Sequence, residues 1–282
     1  MTREKFRILT GRLFLDGATG SNLMKAGMPR GVCAEKWILE HPEIILNLQR
    51  AYVEAGSQII YAPTFTASEP YLTQHGLAEE LEIINAKLVA LSKEAAGGRA
   101  FVAGDMTTVG KPDVSYEELL AVYTRQATAL RDAGADLFVI ETMMGLDETM
   151  AALEACRMVS ELPVMCSFSV TSDGMLYFGG SIYDAAPQLE DFGADAVGIN
   201  CSCGPDQMLT VVENLAKSLN VPVVAKPNAG MPVINDEGNA VYSMGPEEFA
   251  VQMKALHEAG AKLLGGCCGT TPAYIAALRD II

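Results

Sequence analysis

The chain has 282 residues, of which 50% are apolar and 20% are charged, and its formal net charge is −15. This composition supports a large buried core and excludes a disordered chain. The negative charge disfavours nucleic acids and anionic membranes as partners, because both are polyanions. Residues 1–9 lack the apolar region of a secretory signal, and no apolar stretch is long enough to span a membrane, which predicts a cytoplasmic protein.

Short apolar strand candidates alternate with amphipathic helical stretches along the chain. The strands are uniformly apolar, which predicts a parallel sheet covered on both faces. The predicted strands cover residues 13–16, 58–62, 101–105, 137–141, 164–168, 196–200, 223–226 and 262–265. The predicted helices cover residues 42–55, 79–96, 116–133, 146–160, 183–192, 205–219, 246–259 and 272–281.

A recurring glycine joint indicates that one structural unit is repeated. Gly56, Gly134, Gly193 and Gly260 each follow a predicted helix and precede a strand. Glycine tolerates the left-handed conformation that ends a helix. Eight βα units without a linker predict an α/β fold, a (β/α)8 TIM barrel that forms a single domain over residues 1–282. The alternative is an open, doubly wound sheet.

Polar side chains concentrate at the predicted carboxyl ends of the strands. In a barrel these ends share one rim, and that rim carries the active site. The sequence therefore predicts a site on this rim. The residues at or just past strand ends are Asp16, Thr64, Asp105, Glu141, Asn200, Cys201, Asn228, Cys267 and Cys268.

Three cysteines on this rim predict a metal site. Cys267 and Cys268 follow the eighth strand, and Cys201 follows the sixth, so their sulfurs can converge. Three thiolates on zinc leave one position for a substrate thiol, whose pKa the metal would lower. This arrangement suits alkyl transfer to sulfur better than hydrolysis, because hydrolytic zinc sites mostly use histidine and carboxylate.

Three other interpretations of these residues stay open. Cys267 and Cys268 could form a vicinal disulfide or serve as inert core. Gly265 and Gly266, followed by a helix start at residue 272, also resemble a barrel phosphate site. Cys201 and Cys203 form a C-x-C pair that could be redox active, and spacing alone does not choose between these two cysteines as a metal ligand.

Six short motifs mark the strand ends, and the double cysteine with its upstream Asn-Cys is highly specific. They are Leu-Asp-Gly-Ala-Thr-Gly at 15–20, Pro-Thr-Phe at 63–65, Ile-Glu-Thr at 140–142, Gly-Ile-Asn-Cys-Ser at 198–202, Pro-Asn-Ala-Gly at 227–230 and Gly-Gly-Cys-Cys-Gly-Thr-Thr-Pro at 265–272. In order and spacing they resemble the homocysteine S-methyltransferase family. The resemblance implies a zinc-dependent (β/α)8 barrel that methylates homocysteine to methionine.

The same resemblance assigns roles to individual residues. It implies that Cys201, Cys267 and Cys268 are the zinc ligands and act in catalysis, and that Asp16 and Glu141 receive the ammonium group of homocysteine. Two carboxylates on one rim can hold such a cation by charge-assisted hydrogen bonds.

Four further residues are expected to complete the substrate site. The backbone N–H groups of Gly17 and Ala18 are expected to bind the amino-acid carboxylate, because glycine-rich turns expose such donors. Asn200 is expected to orient the Cys201 loop, and Thr64 to line the pocket.

Differences between the motifs of this chain and those usual in the branches of the family indicate the methyl donor. The chain looks most like the homocysteine module of cobalamin-dependent methionine synthase. The S-methylmethionine branch usually has arginine where Gly269 stands, and the betaine branch has an aromatic residue near Thr142. Because the Asp-x-His-x-x-Gly pattern is lacking in these residues, methylcobalamin is expected on a separate corrinoid protein, or the chain is one piece of a larger system. The alternatives are an S-methylmethionine or betaine-like donor, or a non-catalytic zinc–thiol partner of a corrinoid protein.

Overall fold

Eight parallel strands form one barrel-shaped sheet in the part of the chain that the structure describes, residues 1–9, 11–111, 113–235 and 240–282 of a computed structural model. The strands of this sheet are β1 (Leu13–Phe14), β2 (Ile59–Tyr61), β3 (Phe101–Thr107), β4 (Leu137–Met143), β5 (Val164–Phe168), β6 (Ala196–Cys201), β7 (Val223–Pro227) and β10 (Ala261–Leu264), and two further strands are β8 (Val233–Ile234) and β9 (Ala240–Val241). Strands β8 and β9 form a separate antiparallel hairpin.

The sheet has the strand order β1-β10-β7-β6-β5-β4-β3-β2. At the seam between the first and last strands of this order, the Gln58 backbone N–H donates to the Phe14 carbonyl at 2.7 Å. The Gln58 side-chain oxygen in turn accepts from the Phe14 N–H at 3.1 Å. These bonds bring β1 and β2 together, which confirms the (β/α)8 barrel over the open, doubly wound sheet.

Helices cover the outside of the barrel. They are α1 (Arg3–Leu9), α2 (Gly20–Lys25), α3 (Ala34–Glu40), α4 (Pro42–Ala55), α5 (Glu69–Gln74), α6 (Leu81–Ala96), α7 (Tyr116–Asp132), α8 (Leu146–Val159), α9 (Ile182–Asp191), α10 (Leu209–Ser218), α11 (Pro246–Glu258) and α12 (Pro272–Ile281), with 3-10 turns at Ala78–Glu80 and Pro205–Gln207. Among the described residues, no helix combines the length and the apolar character that crossing a membrane requires.

The predicted elements differ from the observed ones mainly at their ends. The helices predicted over 79–96 and 205–219 each begin with a 3-10 turn, which is common where a helix starts. Four short helices were not predicted, namely α1, α2, α3 and α5. They have six or seven residues each, which is too short for a helical periodicity to be recognised in the sequence. Strands β3 and β4 each run two residues beyond their predicted ends, so the rim is taller there.

The glycine joints act as predicted. Gly56, Gly134, Gly193 and Gly260 have φ angles of 118°, 86°, 104° and 121°. Each is therefore left-handed at the end of a helix, a conformation that costs glycine little. The four joints return the chain to the start of the next strand.

The barrel interior is an apolar layer closed at one end by the N-terminal helix. Phe6 of α1 is fully buried and packs with Leu13, Val139 and Val224 from the strands. Alternate residues of a strand point to the same side. Two positions past Val139 and Val224, the inward-facing residues are Glu141 and Lys226, so the interior changes from apolar to charged towards the carboxyl ends.

Gly198 of β6 is a position where the barrel requires glycine. A Cβ atom built there would lie 2.0 Å from the carbonyl oxygen of Val224 on the neighbouring strand. Because the obstructing atoms are backbone, β7 would have to move. We expect Gly198→Ala to lower the free energy of unfolding by about 3 kcal/mol, measured by denaturant titration.

The matched control is Gly11→Ala, since a Cβ at Gly11 meets no atom within 4 Å. It should unfold at nearly the wild-type denaturant concentration. Equal stability of the two variants would show that β6 and β7 do not approach as closely as described.

Candidate active site

A cavity of about 270 Å³ lies at the carboxyl ends of the barrel strands. It brings thiol and carboxylate side chains from distant parts of the chain to one place. The residues of its lining that bear on function are Asp16, Gly17, Ala18, Tyr61, Phe65, Thr66, Asp105, Glu141, Thr142, Cys201, Lys226, Gly266, Cys267 and Cys268.

Three sulfurs meet on one side of the cavity. The Sγ atoms of Cys201, Cys267 and Cys268 all lie within 4.8 Å of one another, and those of Cys201 and Cys268 are 4.0 Å apart. Cys203 is buried outside this group. The structure thus brings Cys201, rather than Cys203, to the two consecutive cysteines. All seven cysteines are free thiols.

Unusual backbone conformations aim the thiols at one another. Thr142, Cys201 and Ser202 have φ angles of 59°, 56° and 55°, in the left-handed region that non-glycine residues rarely adopt. Such conformations cost energy and persist only where the surroundings impose them. The turn at the end of β6 therefore directs the Cys201 side chain towards the loop after β10.

Backbone hydrogen bonds tie the cysteine loops together. The Cys267 N–H donates to the Pro227 carbonyl at 2.7 Å, and the Ala229 N–H donates to the Cys268 carbonyl at 3.0 Å. The Asn228 N–H donates to the Cys203 carbonyl at 2.9 Å. The Pro-Asn-Ala-Gly segment thus connects the loop that carries Cys201 to the loop that carries the cysteine pair.

Asn200 lies behind the cavity lining and fixes the neighbouring turns. Its side-chain oxygen accepts from the Thr142 N–H and from the Ser167 hydroxyl, both at 2.8 Å. Its amide nitrogen donates to the Thr142 hydroxyl at 2.7 Å. These bonds hold together the ends of β4, β5 and β6, immediately before Cys201.

The sulfur geometry suits a tetrahedral metal site. Zinc–sulfur bonds of about 2.3 Å at tetrahedral angles place sulfurs roughly 3.8 Å apart, close to the separation of Cys201 and Cys268. Hydrogen bonds from Cys201, Cys267 and the Tyr242 hydroxyl together outweigh burial and lower the pKa of Cys268 to about 3. The cluster therefore already favours a thiolate, the form in which cysteine binds metals.

A buried ion pair occupies the floor of the cavity. The Lys226 ammonium lies 2.9 Å from Asp16 Oδ1 and 3.9 Å from Glu141 Oε2. It also sits 3.5 Å from the centroid of the Tyr61 ring, a cation–π contact. Asp16 Oδ2 accepts from the Tyr61 N–H at 2.7 Å. Both carboxylate oxygens of Asp16 thus have partners within the protein.

Burial shifts the protonation of these groups. It raises the pKa of Asp16, and it raises the pKa of Glu141 to about 7. Burial opposes the charge of Lys226, but Asp16, Tyr61 and Glu141 outweigh it and hold the Lys226 pKa well above its usual value. The lysine is therefore charged, and it partly neutralises the carboxylates around it.

Asp105 is a third buried carboxylate beside this pair. Its Oδ1 atom is buried without a hydrogen-bond partner. Burial, followed by the charge of Glu141, raises the Asp105 pKa well above its usual value. The Thr64 hydroxyl donates to the Asp105 carbonyl at 2.8 Å and accepts from its N–H at 3.0 Å. Thr64 lies behind the lining and holds the Asp105 backbone.

The turn after β1 is packed against the loop after β10. A Cβ at Gly17 would lie 2.6 Å from the Tyr52 hydroxyl and 2.7 Å from Thr270 Oγ1, so this approach requires glycine. The Ala18 N–H donates to Thr270 Oγ1 at 3.1 Å and is therefore already paired. Gly17 and Ala18 both line the cavity beside Asp16.

Sequence reasoning missed Lys226, Tyr61 and Tyr242. The signal for Lys226 was a lysine as the last residue of an apolar strand, directly before the Pro-Asn-Ala-Gly motif. Tyr61 lies within a predicted apolar strand, where an aromatic residue is expected to belong to the core. Tyr242 follows the short strand β9, and its ring would be 2.4 Å from a Cβ at Gly269. No periodic pattern links these last two residues to the cysteines.

Known proteins resemble this chain over nearly its whole length. The family model described as homocysteine S-methyltransferase matches residues 13–282. Methionine synthases of Mycobacterium tuberculosis (strain ATCC 25618 / H37Rv) and Mycobacterium leprae (strain TN) are each 30% identical over 95% of this chain. The chain spans 24% of the length of each of these two relatives.

Solved structures give the same picture. The homocysteine methyltransferase MmuM from Escherichia coli superimposes in its oxidized form with a TM-score of 0.82, at 27% identity, over 95% of both chains. Its metallated form superimposes with a TM-score of 0.81, at 26% identity, over 95% of this chain and 96% of MmuM. Family model, relatives and structures agree, and the chain belongs to the homocysteine S-methyltransferase family.

Proposed function

We propose that this protein is a zinc-dependent enzyme that transfers a methyl group to the thiol of homocysteine and forms methionine. The donor we propose is methylcobalamin carried by a separate corrinoid protein. One observation carries this proposal. The cluster of Cys201, Cys267 and Cys268 lines a cavity of about 270 Å³ together with several buried carboxylates. These carboxylates outnumber the lysine side chains in the lining.

The proposed zinc ligands are Cys201, Cys267 and Cys268. Their spacing fits a tetrahedral ion, and three sulfur ligands leave the fourth position for a substrate thiol. When bound, zinc would lower the pKa of that thiol and keep it as a nucleophilic thiolate near neutral pH. The metallated form of MmuM, with the same fold, is consistent with this assignment.

The amino-acid end of homocysteine is proposed to lie on the floor of the cavity. Glu141 and Asp16 supply negative charge for its ammonium group, and the Gly17 turn is proposed to bind its carboxylate. Asn200 keeps the Cys201 turn in place, and Thr64 acts indirectly through Asp105. Holding both ends of the substrate directs its sulfur towards the cavity mouth.

The proposed reaction is a displacement at carbon. A sulfur–carbon bond forms as the carbon–cobalt bond breaks, with its electron pair remaining on cobalt, and the thiol proton passes to solvent. A substrate already held as a thiolate needs no general base in the transfer itself. The contribution of the chain is therefore to position the thiol and to stabilise its anion.

Exposed apolar side chains in segments that follow β5 and β7, at the carboxyl end of the barrel, support a large donor. Val233, Ile234 and Val241 of the β8–β9 hairpin are exposed, as are Tyr177 and Phe178 in the loop after β5. Exposed apolar surface beside a site is typical of a docking face. The resemblance of the motifs to the homocysteine module of cobalamin-dependent methionine synthase favours a corrinoid as the group that this face meets.

A reducing compartment is part of the proposal. Three thiols must stay reduced to bind a metal, and the cytoplasm maintains that state. Homocysteine and the corrinoid protein are the proposed partners.

Replacing one ligand tests the metal assignment. We expect Cys268→Ala to lose zinc, from about one ion per chain to near zero, and to lose activity while the barrel stays folded. Metal analysis and circular dichroism measure the two effects. The control is Cys203→Ala, which removes a nearby buried thiol outside the cluster and should keep its zinc. Zinc loss from both variants would contradict the assignment.

The donor is tested by offering each candidate to the zinc-loaded protein with homocysteine. We expect methionine to form with methylcobalamin, free or protein-bound, at least about tenfold faster than with S-methylmethionine or betaine. Cys268→Ala is the blank. Faster turnover with either of the other donors would replace the corrinoid. Homocysteine binding without any turnover would indicate a non-catalytic partner of a corrinoid protein.

A further inference from the structure

We propose that the Tyr242 hydroxyl, by donating a hydrogen bond to the Cys268 sulfur, makes this sulfur a weaker nucleophile and so directs the methyl group to the substrate thiolate. This inference rests on the proposed function, because it concerns how the same metal site keeps its own ligands from being methylated. It assigns a specificity-determining role to a residue that lies outside the motifs at the strand ends.

A metal site with three thiolate ligands exposes its own sulfurs to the methyl donor. Cys201, Cys267 and Cys268 line the cavity that the substrate thiol would enter, and each is only partly buried. A thiolate attacks carbon whether it belongs to the substrate or to the protein. Attack by a ligand sulfur would form a sulfur–carbon bond and break the bond between the methyl carbon and its donor, which keeps the electron pair. The resulting thioether has lost the negative charge with which cysteine binds a metal, so the site would be damaged.

Tyr242 reaches Cys268 from outside the cavity. Its hydroxyl donates a hydrogen bond to the Cys268 sulfur. Of these two described residues, Cys268 lines the cavity and Tyr242 does not. The hydroxyl can therefore bond to one ligand sulfur without occupying the space in which a substrate thiol would approach the metal.

Neighbouring backbone holds the Tyr242 ring in place. A Cβ atom at Gly269, whose φ angle is 85°, would lie 2.4 Å from the ring Cγ, so the ring packs directly on this glycine. Two residues further along the chain, the Met244 N–H donates to the Ala229 carbonyl at 3.2 Å. The Met244 carbonyl accepts from the Tyr274 hydroxyl at 2.6 Å. The Tyr242 hydroxyl is thus presented at a defined place beside the ligand sulfur.

The hydrogen bond from tyrosine can persist when a metal binds. Cys201 and Cys267 also bond to Cys268 in the free protein, but these S–H donors are lost once three thiolates hold a metal. A phenol, in contrast, keeps its proton at neutral pH. A sulfur that accepts a hydrogen bond is less basic, and the nucleophilicity of a thiolate falls with its basicity. The substrate thiolate is then the better nucleophile of the two.

Methylation of the zinc-loaded protein without homocysteine tests this role. Methyl iodide is the probe, and mass spectrometry of the tryptic peptide 263–279, which contains Cys267 and Cys268, measures the rate at each sulfur. We expect Cys268 to be methylated about three- to tenfold faster in Tyr242→Phe than in the wild type, because a charge-assisted hydrogen bond is lost. Methylation of Cys201 is the internal reference and should not change.

The matched control is Tyr116→Phe. Tyr116 is exposed on α7, and its hydroxyl donates to Glu154. This variant also removes one hydrogen-bonded phenol hydroxyl, but away from the cysteine cluster. Its Cys268 should be methylated at the wild-type rate.

Cobalt(II)-loaded protein gives an independent readout through the charge-transfer band from sulfur to the metal. A hydrogen bond lowers the energy of the sulfur lone pairs, so its loss in Tyr242→Phe should move this band to longer wavelength. Tyr116→Phe should leave the band unchanged. A tyrosine that only packed on Gly269 would not move the band, because phenylalanine keeps the ring.

Three results would overturn the inference. They are equal methylation of Cys268 in the wild type and Tyr242→Phe, an unshifted cobalt band, and loss of zinc from Tyr242→Phe, which would show that the hydroxyl is needed to hold the metal itself. Failure of the wild-type protein to bind zinc, or to methylate homocysteine with any of the candidate donors, would instead refute the proposed function.

Discussion

The buried ion pair between Asp16 and Lys226 determines the shape of the cavity. Asp16 follows β1 and Lys226 belongs to β7, and the second oxygen of Asp16 binds the backbone of Tyr61 in β2. The pair therefore reaches across the seam, where β1 and β2 meet through Gln58 and not through a continuous ladder. Because the Tyr61 ring supports the ammonium group from one side, the lysine has a single defined position. The neighbouring carboxylates are arranged around that position.

The cavity combines two clusters in which acidic side chains outnumber basic ones. The thiol cluster favours a thiolate at Cys268, and the carboxylate cluster holds Asp105 and Glu141 beside one lysine. Each cluster is therefore suited to a cation of a different kind, a soft divalent metal ion for the sulfurs and an organic ammonium group for the oxygens. In the proposed function, a thiol amino acid joins the two, with its sulfur at one cluster and its amino group at the other.

Much of the barrel follows from local patterns, and the site follows only in part. The glycine joints and the apolar strands are local signals, which is why eight βα units and the cysteine pair could be predicted. Pairing across the barrel is not local. The backbone bonds of Thr64, the Thr270 partner of the Ala18 N–H and the lysine beside Asp16 all join residues far apart in sequence. Spacing could not choose Cys201 over Cys203 either, since the choice depends on a left-handed turn.

The N-terminal helix has a consequence for the timing of catalysis. Phe6 fills the amino end of the barrel, and the cavity lies at the opposite end, among the carboxyl ends of the strands. When a small substrate and a large substrate reach a cavity through the same opening, they must bind in a fixed order. Under the proposed function, the amino acid would enter before a protein-bound donor covered this opening, and the product would leave after that donor had dissociated. Steady-state kinetics would then show a compulsory order of substrate binding, and dissociation of the donor would limit the release of the product.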